Sequence, residues 1–241
     1  MKEKLAIILW LTLAIARSSA QRTLPLATNL THCYQKVTRD PRGLPGKAYW
    51  QNRADYDLSV DFDPASRLLT GTVGIDYTNN SPDTLKRLLF KLYPNLYQAQ
   101  AMRSVVVAPE DLGKGMSISA IRIGGSILDS THRRIKGTNM NLTGVTVLPH
   151  TKVHLDLAYS YTLNKGSFIR TGQIDTGSFF IAYFFPRIAV YDDLDGWNEY
   201  PYTGQYEFYN DYGDFRLAIT LPASYLAWAT GDLENADSIY A

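Results

Sequence analysis

Strict alternation of polar and apolar residues first appears near residue 55 and recurs through most of the chain. Residues 55–62 alternate, Asp63 and Pro64 turn the chain, and residues 68–80 alternate again. A period of two places successive side chains on opposite faces of a strand, so each run has one apolar face. The two runs predict a β-hairpin that buries this face.

Shorter strand patterns follow. Residues 85–92 suit a strand because turns flank them, and residues 94–102 suit one or two helical turns. The other predicted strands are residues 118–123, 141–148, 153–163, 179–185, 206–209, 215–221 and 226–229. No amphipathic helix of ten or more residues is predicted. Many short strands separated by turns predict an all-β fold, an antiparallel β-sandwich or curved double sheet.

The beginning of the chain has the pattern of a signal peptide over residues 1–20. Lys2 and Lys4 precede an apolar run over residues 5–15, and small residues at 18–20 suit cleavage before Gln21. The run is shorter than the roughly 20 residues that span a bilayer. We therefore predict an exported protein, periplasmic or extracellular, with no stable membrane anchor after cleavage.

Residues 21–48 are rich in Thr, Pro, Arg and Gly. Proline withholds a backbone donor and glycine favours turns, so this stretch predicts a surface lead-in, with regular structure starting at Tyr49. The domain itself is predicted over residues 49–235.

Charge and cysteine content exclude several classes of function. The 24 Lys and Arg against 23 Asp and Glu give a net charge of +1. This balance provides no basic field for nucleic acid, so no nucleic-acid partner is predicted. Cys33 is the single cysteine, which excludes an internal disulfide.

A histidine pair is the first candidate for a metal site. His150 and His154 have the spacing of the paired ligands in a zinc helix of the HExxH type, but Thr151 stands where the catalytic Glu would be. On a strand the two side chains would lie about 13 Å apart at ~3.3 Å per residue. The pattern therefore favours a strand face over a zinc site.

Two groups near residue 200 leave alternatives open. Three carboxylates at one turn, Asp192, Asp193 and Asp195, suit either a capped turn or a loose site for a hard cation, since an EF-hand would need ligands where tyrosines stand. Six aromatic residues suit either core packing or a carbohydrate-stacking platform. They are Trp197, Tyr200, Tyr202, Tyr206, Tyr209 and Tyr212.

Several motifs in order carry a family resemblance. They are LLFKLYPN at 88–95, FFPRIAVYDD at 184–193, GW at 196–197, GQYEFY at 204–209, YGDF at 212–215, LP at 221–222 and ATG at 229–231. This series resembles the N-terminal domain of the aminopeptidase N family of zinc metallopeptidases, in its bacterial exported branch. The resemblance covers residues 50–235.

The resemblance implies a curved, saddle-like β-sandwich that packs on a thermolysin-like catalytic domain and walls one side of the substrate cleft. It also implies that the loop at residues 171–178 helps to position the N-terminal residue of a peptide substrate, with Gln173 or Asp175 facing the substrate amine. Zinc is the cofactor of the full-length family. The HExxH motif is absent from this sequence, so we predict that this chain alone does not hydrolyse peptides.

The leading hypothesis is therefore a non-catalytic N-terminal domain, or fragment, of an exported zinc aminopeptidase. Residues 236–241 would begin the linker to a missing catalytic domain, which would be its partner on the same or another chain. The alternative is a stand-alone exported β-sandwich that binds a peptide or glycan through its Tyr- and Trp-rich surface. A pure assembly module is a third hypothesis.

Overall fold

The computed structural model describes residues 25–166 and 168–239. The predicted signal peptide lies outside the described residues, and so do the last two residues of the predicted linker. The chain divides into two compact units, residues 1–49 and 50–241. Within the described residues, no helix is long and apolar enough to cross a membrane.

The described part of the first unit contains one helix, α1 (Thr28–Gln35). Its inner side buries Cys33, and the chain turns after it at Val37, whose φ is +58°. This helix corrects the prediction that regular structure starts at Tyr49. An eight-residue helix with one buried side chain leaves no apolar period of 3.6 in the sequence, so the pattern could not reveal it.

The second unit consists mainly of strands. They are β1 (Arg53–Asp63), β2 (Leu68–Asn79), β3 (Leu88–Lys91), β4 (Ser117–Ile123), β5 (Ser126–Ile127), β6 (Arg133–Lys136), β7 (Asn139–Leu142), β8 (Thr151–Thr162), β9 (Thr171–Gln173), β10 (Phe179–Ile181), β11 (Arg187–Ile188), β12 (Tyr191–Asp192), β13 (Gly196–Trp197) and β14 (Phe215–Thr220). Short 3₁₀ helices occupy Tyr93–Tyr97, Pro109–Asp111 and Ser130–His132, and α2 spans Ala236–Ile239.

Two larger sheets form the second unit. One has the strand order β14-β1-β2-β8-β4-β5 and the other the order β11-β3-β7-β6, while β9 pairs with β10 and β12 with β13. Neighbouring strands are antiparallel, except that β14 runs parallel to β1. The predicted all-β sandwich is confirmed, with the correction that its larger sheet is mixed rather than wholly antiparallel.

One hydrophobic core lies between these two sheets. A buried row crosses the larger sheet, where Leu58 lies opposite Val73 and Val73 opposite Leu157. The smaller sheet contributes Phe90 and Met140 to the same cluster. Because alternate residues of β1, β2 and β8 are buried, the two-residue period in the sequence identifies the core face of each strand.

Several of the predicted strands differ from the structure. Residues 206–209 and 226–229 are not strands, the strand predicted at 141–148 is β7, which ends at Leu142, and those predicted at 179–185 and 85–92 are the shorter β10 and β3. Trp228 is exposed, so residues 226–229 have no face to bury, whereas residues 206–209 bury Phe208 but pair with no strand among the described residues. Aromatic residues favour strands because they pack on a half-buried surface, and the preference fails where that surface is missing.

The parallel pairing of β1 and β14 begins at a close approach of two backbones. The amide of Tyr56 donates to the carbonyl of Asp214 at 2.8 Å, just after Gly213 passes the carbonyl of Ala54. A Cβ on Gly213 would lie 1.7 Å from that carbonyl oxygen. Only glycine fits here without moving the backbone.

We predict that Gly213→Ala destabilises the chain by about 2 kcal/mol, because the added methyl forces β14 away from β1. Urea unfolding followed by circular dichroism measures the change. Gly113→Ala is the matched control, since nothing lies within 4 Å of the added Cβ there. Equal midpoints for the two variants would contradict the proposed close packing.

Candidate functional site

The loop that the resemblance assigns to substrate binding is the hairpin of β9 and β10. Gln173 lies at the end of β9, opposite Phe179, and is partly buried. Asp175 lies in the turn and is exposed. Its carboxylate accepts a hydrogen bond of 2.9 Å from the amide of Gly177, and this bond lowers the pKa of Asp175. The hairpin therefore presents the amide of Gln173 and, two residues further along, the ionised carboxylate of Asp175.

The segment that leads into this hairpin is strained. Ile169 and Arg170 both have left-handed backbone conformations, with φ of +50° and +59°. Such a conformation is unfavourable for a β-branched residue like Ile169. Phe168 and Thr171 close the turn with reciprocal backbone hydrogen bonds of 2.9 and 3.2 Å. Strain of this kind persists only where the surroundings enforce it.

Two tyrosine hydroxyls enforce this conformation. The hydroxyl of Tyr97 donates to the carbonyl of Phe168 at 2.9 Å, and that of Tyr183 donates to the carbonyl of Ile169. Both rings belong to elements outside the turn, so the turn is fixed from two sides. We call residues 168–171 the pinned turn.

A group of aromatic rings lies beneath the pinned turn. The tyrosine cluster consists of Tyr93, Tyr97, Tyr183, Tyr202 and Phe208. The Tyr93 and Phe208 ring centroids lie 4.5 Å apart in an edge-to-face arrangement. From the pinned turn, the Arg170 guanidinium lies 5.4 Å from the centre of the Phe208 ring and pairs with Glu207 at 3.2 Å. The cluster thus joins the turn to the segment that follows β13.

A small cavity of about 10 Å³ separates the pinned turn from the core. Its lining includes Pro94, Asn164 and Thr171 together with Tyr161, whose buried hydroxyl has no hydrogen-bond partner among the described residues. Burial raises the pKa of Tyr161, so the hydroxyl stays protonated. A volume of this size holds one water molecule at most. The cavity is therefore no substrate pocket.

The histidine pair does not form a metal site. His150 precedes β8 with a φ of +56°, while His154 lies within β8. The ring of His154 bonds to Asp76 at 2.7 Å and to Asp156 at 3.2 Å. No group of three or more His, Cys, Asp or Glu side chains in residues 25–166 and 168–239 is placed to hold a metal ion.

The acidic turn has the hydrogen bonds of a capped turn. One carboxylate oxygen of Asp192 accepts from the amides of Leu194 and Asp195, and the other accepts from the hydroxyl of Tyr209. Because both oxygens already accept hydrogen bonds within the chain, this carboxylate stabilises the turn without a cation.

The six aromatic residues do not form one platform. Trp197 and Tyr202 are buried in two different clusters, whereas Tyr200, Tyr206, Tyr209 and Tyr212 are exposed. The core-packing interpretation therefore holds for the first two residues and fails for the other four.

Sequence reasoning missed Arg170 and the two pinning tyrosines. Left-handed backbone is signalled in a sequence by glycine or asparagine, and Ile169 and Arg170 give no such signal. It also missed Lys91, a buried lysine that donates to the side chain of Asn139 at 2.9 Å and to the carbonyl of Tyr200 at 2.6 Å. Burial lowers the pKa of Lys91 to about 8.

No protein-family model matches the sequence, and no curated protein matches it. Among solved structures, the chain is similar to a two-domain M1 zinc metallopeptidase in an E323A variant bound to L-tryptophan. The identity is 17%, the coverage 75% of this chain and 35% of that one, and the TM-score 0.39. An E323A variant from Deinococcus radiodurans bound to a Tyr-Ser-Ala substrate gives 16% identity, 78% and 37% coverage and a TM-score of 0.40.

Aminopeptidase A from Legionella pneumophila, solved in complex with aspartic acid, gives 8% identity, 49% and 11% coverage and a TM-score of 0.30. The chain spans little more than a third of the length of the two M1 zinc metallopeptidases and about a tenth of the Legionella protein. These likenesses are to part of each protein, and they assign no role to any residue of this chain.

We predict that Tyr97→Phe lowers the free energy of unfolding by about 1 kcal/mol, since the carbonyl of Phe168 loses one of its two donors. Amide hydrogen exchange at Thr171 should accelerate because the pinned turn is fixed from one side only. Tyr212→Phe is the control, as this ring is 78% exposed. Unchanged exchange at Thr171 in Tyr97→Phe would show that the turn does not depend on this bond.

We predict a pH dependence of stability from His154. The hydrogen bond to Asp76 raises the pKa of His154 above its ordinary value of 6.5. The folded state therefore binds the proton more tightly, and its stabilisation is complete below pH 6.5 and is lost as the pH rises through the raised pKa. The ring is half exposed, so the effect should stay below about 1 kcal/mol.

Urea unfolding between pH 5 and 9 measures this effect. In His154→Gln the difference in free energy of unfolding between pH 5 and pH 9 should shrink. The variant His32→Gln, in the other unit, should leave this difference unchanged. Identical profiles for wild type and His154→Gln would contradict the assignment.

Proposed function

We propose that this chain is the N-terminal, non-catalytic domain of an exported zinc aminopeptidase, where it walls the substrate cleft and supports the catalytic domain. The main support for the proposal is that two motifs of the family resemblance, distant in sequence, are in direct contact in the structure. The LLFKLYPN and FFPRIAVYDD segments lie almost 100 residues apart in the chain. They nevertheless pair directly, with Lys91 opposite Arg187 and Phe90 opposite Ile188.

The same motifs supply the tyrosine cluster. Tyr93 comes from the first motif and Phe208 from GQYEFY, and their rings are in contact. Tyr183 directly precedes the second motif and pins the turn before β9. The residues that carry the resemblance therefore build the support of the hairpin that holds Gln173 and Asp175. A cleft wall needs such a rigid support beneath the residues that meet the substrate.

Exposed apolar side chains after the last strand support the proposal of a partner domain. Leu226, Trp228 and Leu233 follow the last strand, and Trp228 is 88% exposed. Leaving a tryptophan side chain in water is costly, and exposed apolar groups of this kind mark interaction sites. In the proposal, the catalytic domain covers them.

The chemistry of this domain would be recognition rather than hydrolysis. The carboxylate of Asp175 or the amide of Gln173 would accept a hydrogen bond from the free ammonium group of the peptide, which a neutral or acetylated N-terminus cannot replace. The described residues do not provide a ligand set for zinc, so the metal would belong to the catalytic domain. No step of bond cleavage is assigned to this chain.

The test is to express the longest open reading frame that contains this chain and to assay release of N-terminal residues from tripeptides, with and without a chelator. We expect chelator-sensitive activity. We also expect Asp175→Asn or Gln173→Ala to raise KM about tenfold for peptides with a free amine, because a charge-assisted hydrogen bond is lost. Asp61→Asn, at an exposed position of β1, is the matched control.

Each result has a distinct meaning. Absence of chelator-sensitive aminopeptidase activity, or a reading frame without a metallopeptidase domain, would overturn the proposed function. Full activity with an unchanged KM in both variants would overturn the roles of Gln173 and Asp175 and leave the domain assignment intact.

A further inference from the structure

The edge strand β14 carries an apolar row that is exposed, whereas the matching row of its neighbour β1 is buried. Tyr56, Leu58 and Val60 of β1 lie on the core face and are at most 5% exposed. Their register partners in β14 are also apolar, namely Phe215, Leu217 and Ile219. These three are 47%, 36% and 39% exposed. The core-facing row of the sheet therefore continues onto β14, where Phe215 packs on Tyr56, Phe185 and Arg187 while all three apolar side chains remain partly exposed.

The opposite face of β14 is polar or small, as on the rest of that side of the sheet. Arg216, Ala218 and Thr220 lie beside Asp57, Ser59 and Asp61 of β1. Every residue of β14 is exposed, on both faces. An element that covers the apolar row must therefore lie beside β14, with apolar residues on the core side and polar residues on the other.

The outer edge of β14 is open to another strand. Among the described residues, β14 pairs with β1 alone. Native edge strands are usually protected by proline, bulges or charges that point inward, and β14 has a regular register and only apolar residues on its core side. Parallel pairing is also typical of strands inside a sheet rather than at its edge.

Charge selects the kind of strand that would fit. In the structure's described part, Arg216 makes no ion pair. The sequence of β14, FRLAIT, contains no acidic residue. Pairing with β14 of a second copy would therefore leave each Arg216 without a carboxylate across the edge, whereas a strand with Glu or Asp opposite it would provide one.

We propose that the free edge of β14 binds an extended strand of another polypeptide, with apolar residues at every second position and a carboxylate opposite Arg216. The pairing would satisfy the outer backbone groups of β14 and cover Phe215, Leu217 and Ile219. The partner strand belongs to a different polypeptide, so this proposal does not depend on the proposed function.

The probe is the acetylated and amidated hexapeptide TVEVTV, added to the chain at millimolar concentration and followed by backbone amide NMR and hydrogen exchange. We expect saturable binding with slowed exchange at residues 215–220. A peptide with proline at its fourth position should not bind, because proline removes a ladder donor and distorts the strand.

A charge exchange tests the predicted partner. TVKVTV should bind wild type about fivefold more weakly, since like charges would face each other across the edge. Arg216→Glu should reverse this preference. Arg122→Glu is the matched control, because Arg122 is exposed on β4, close to the other edge of the same sheet, and this variant should keep the wild-type preference.

The remaining outcomes separate the strand proposal from the proposed function. Absence of slowed exchange at β14 with every peptide would exclude strand addition, and protection of β14 without peptide together with dimers in sedimentation would assign the edge to a second copy. Peptide pairing without aminopeptidase activity in the longer reading frame would overturn the proposed function alone. Activity without peptide pairing would overturn the strand proposal alone.

Discussion

Burial of one face of β2 is the constraint on which the second unit depends. Val73, Ile75 and Tyr77 are all less than 2% exposed, and β2 pairs with β8 along its full length and with β1 from Leu68 to Thr78. Moving β2 by one residue would place its apolar set on the solvent face, so the register of three strands is fixed together. The smaller sheet packs on this buried face. The two packed sheets then determine where the other elements of the unit lie.

The predictable part of this fold is the part that is local in the chain. β1, β2, β8 and β14 each show an alternation that can be read in a few residues, and their positions follow from it. β11 and β13 have two residues each, and they exist because distant partners bind them, which no local pattern reveals. The strand predicted at residues 206–209 is wrong for the converse reason, since Phe208 packs on Tyr93 and Tyr202 but no neighbouring strand among the described residues pairs with this segment.

The candidate site divides in the same way. The resemblance located the hairpin that holds Gln173 and Asp175, because motif order is visible in a sequence. The pinned turn was not predictable, since its left-handed residues are Ile and Arg and its conformation is imposed by Tyr97 and Tyr183 from other parts of the chain. A conformation that is set by tertiary contacts leaves no signal at the residues that adopt it.

The parallel neighbour of β1 also governs the order in which the chain can fold. The amide of Asp214 binds the carboxylate of Asp55 across 159 residues of sequence. Closing so long a loop is slow, whereas the hairpin of β1 and β2 needs only a short turn. During synthesis and before β14 arrives, β1 is therefore an outer strand with an unpaired backbone edge. Until β14 pairs with β1, this unpaired edge can bind strands of other chains, so the nascent protein is prone to aggregation at this stage.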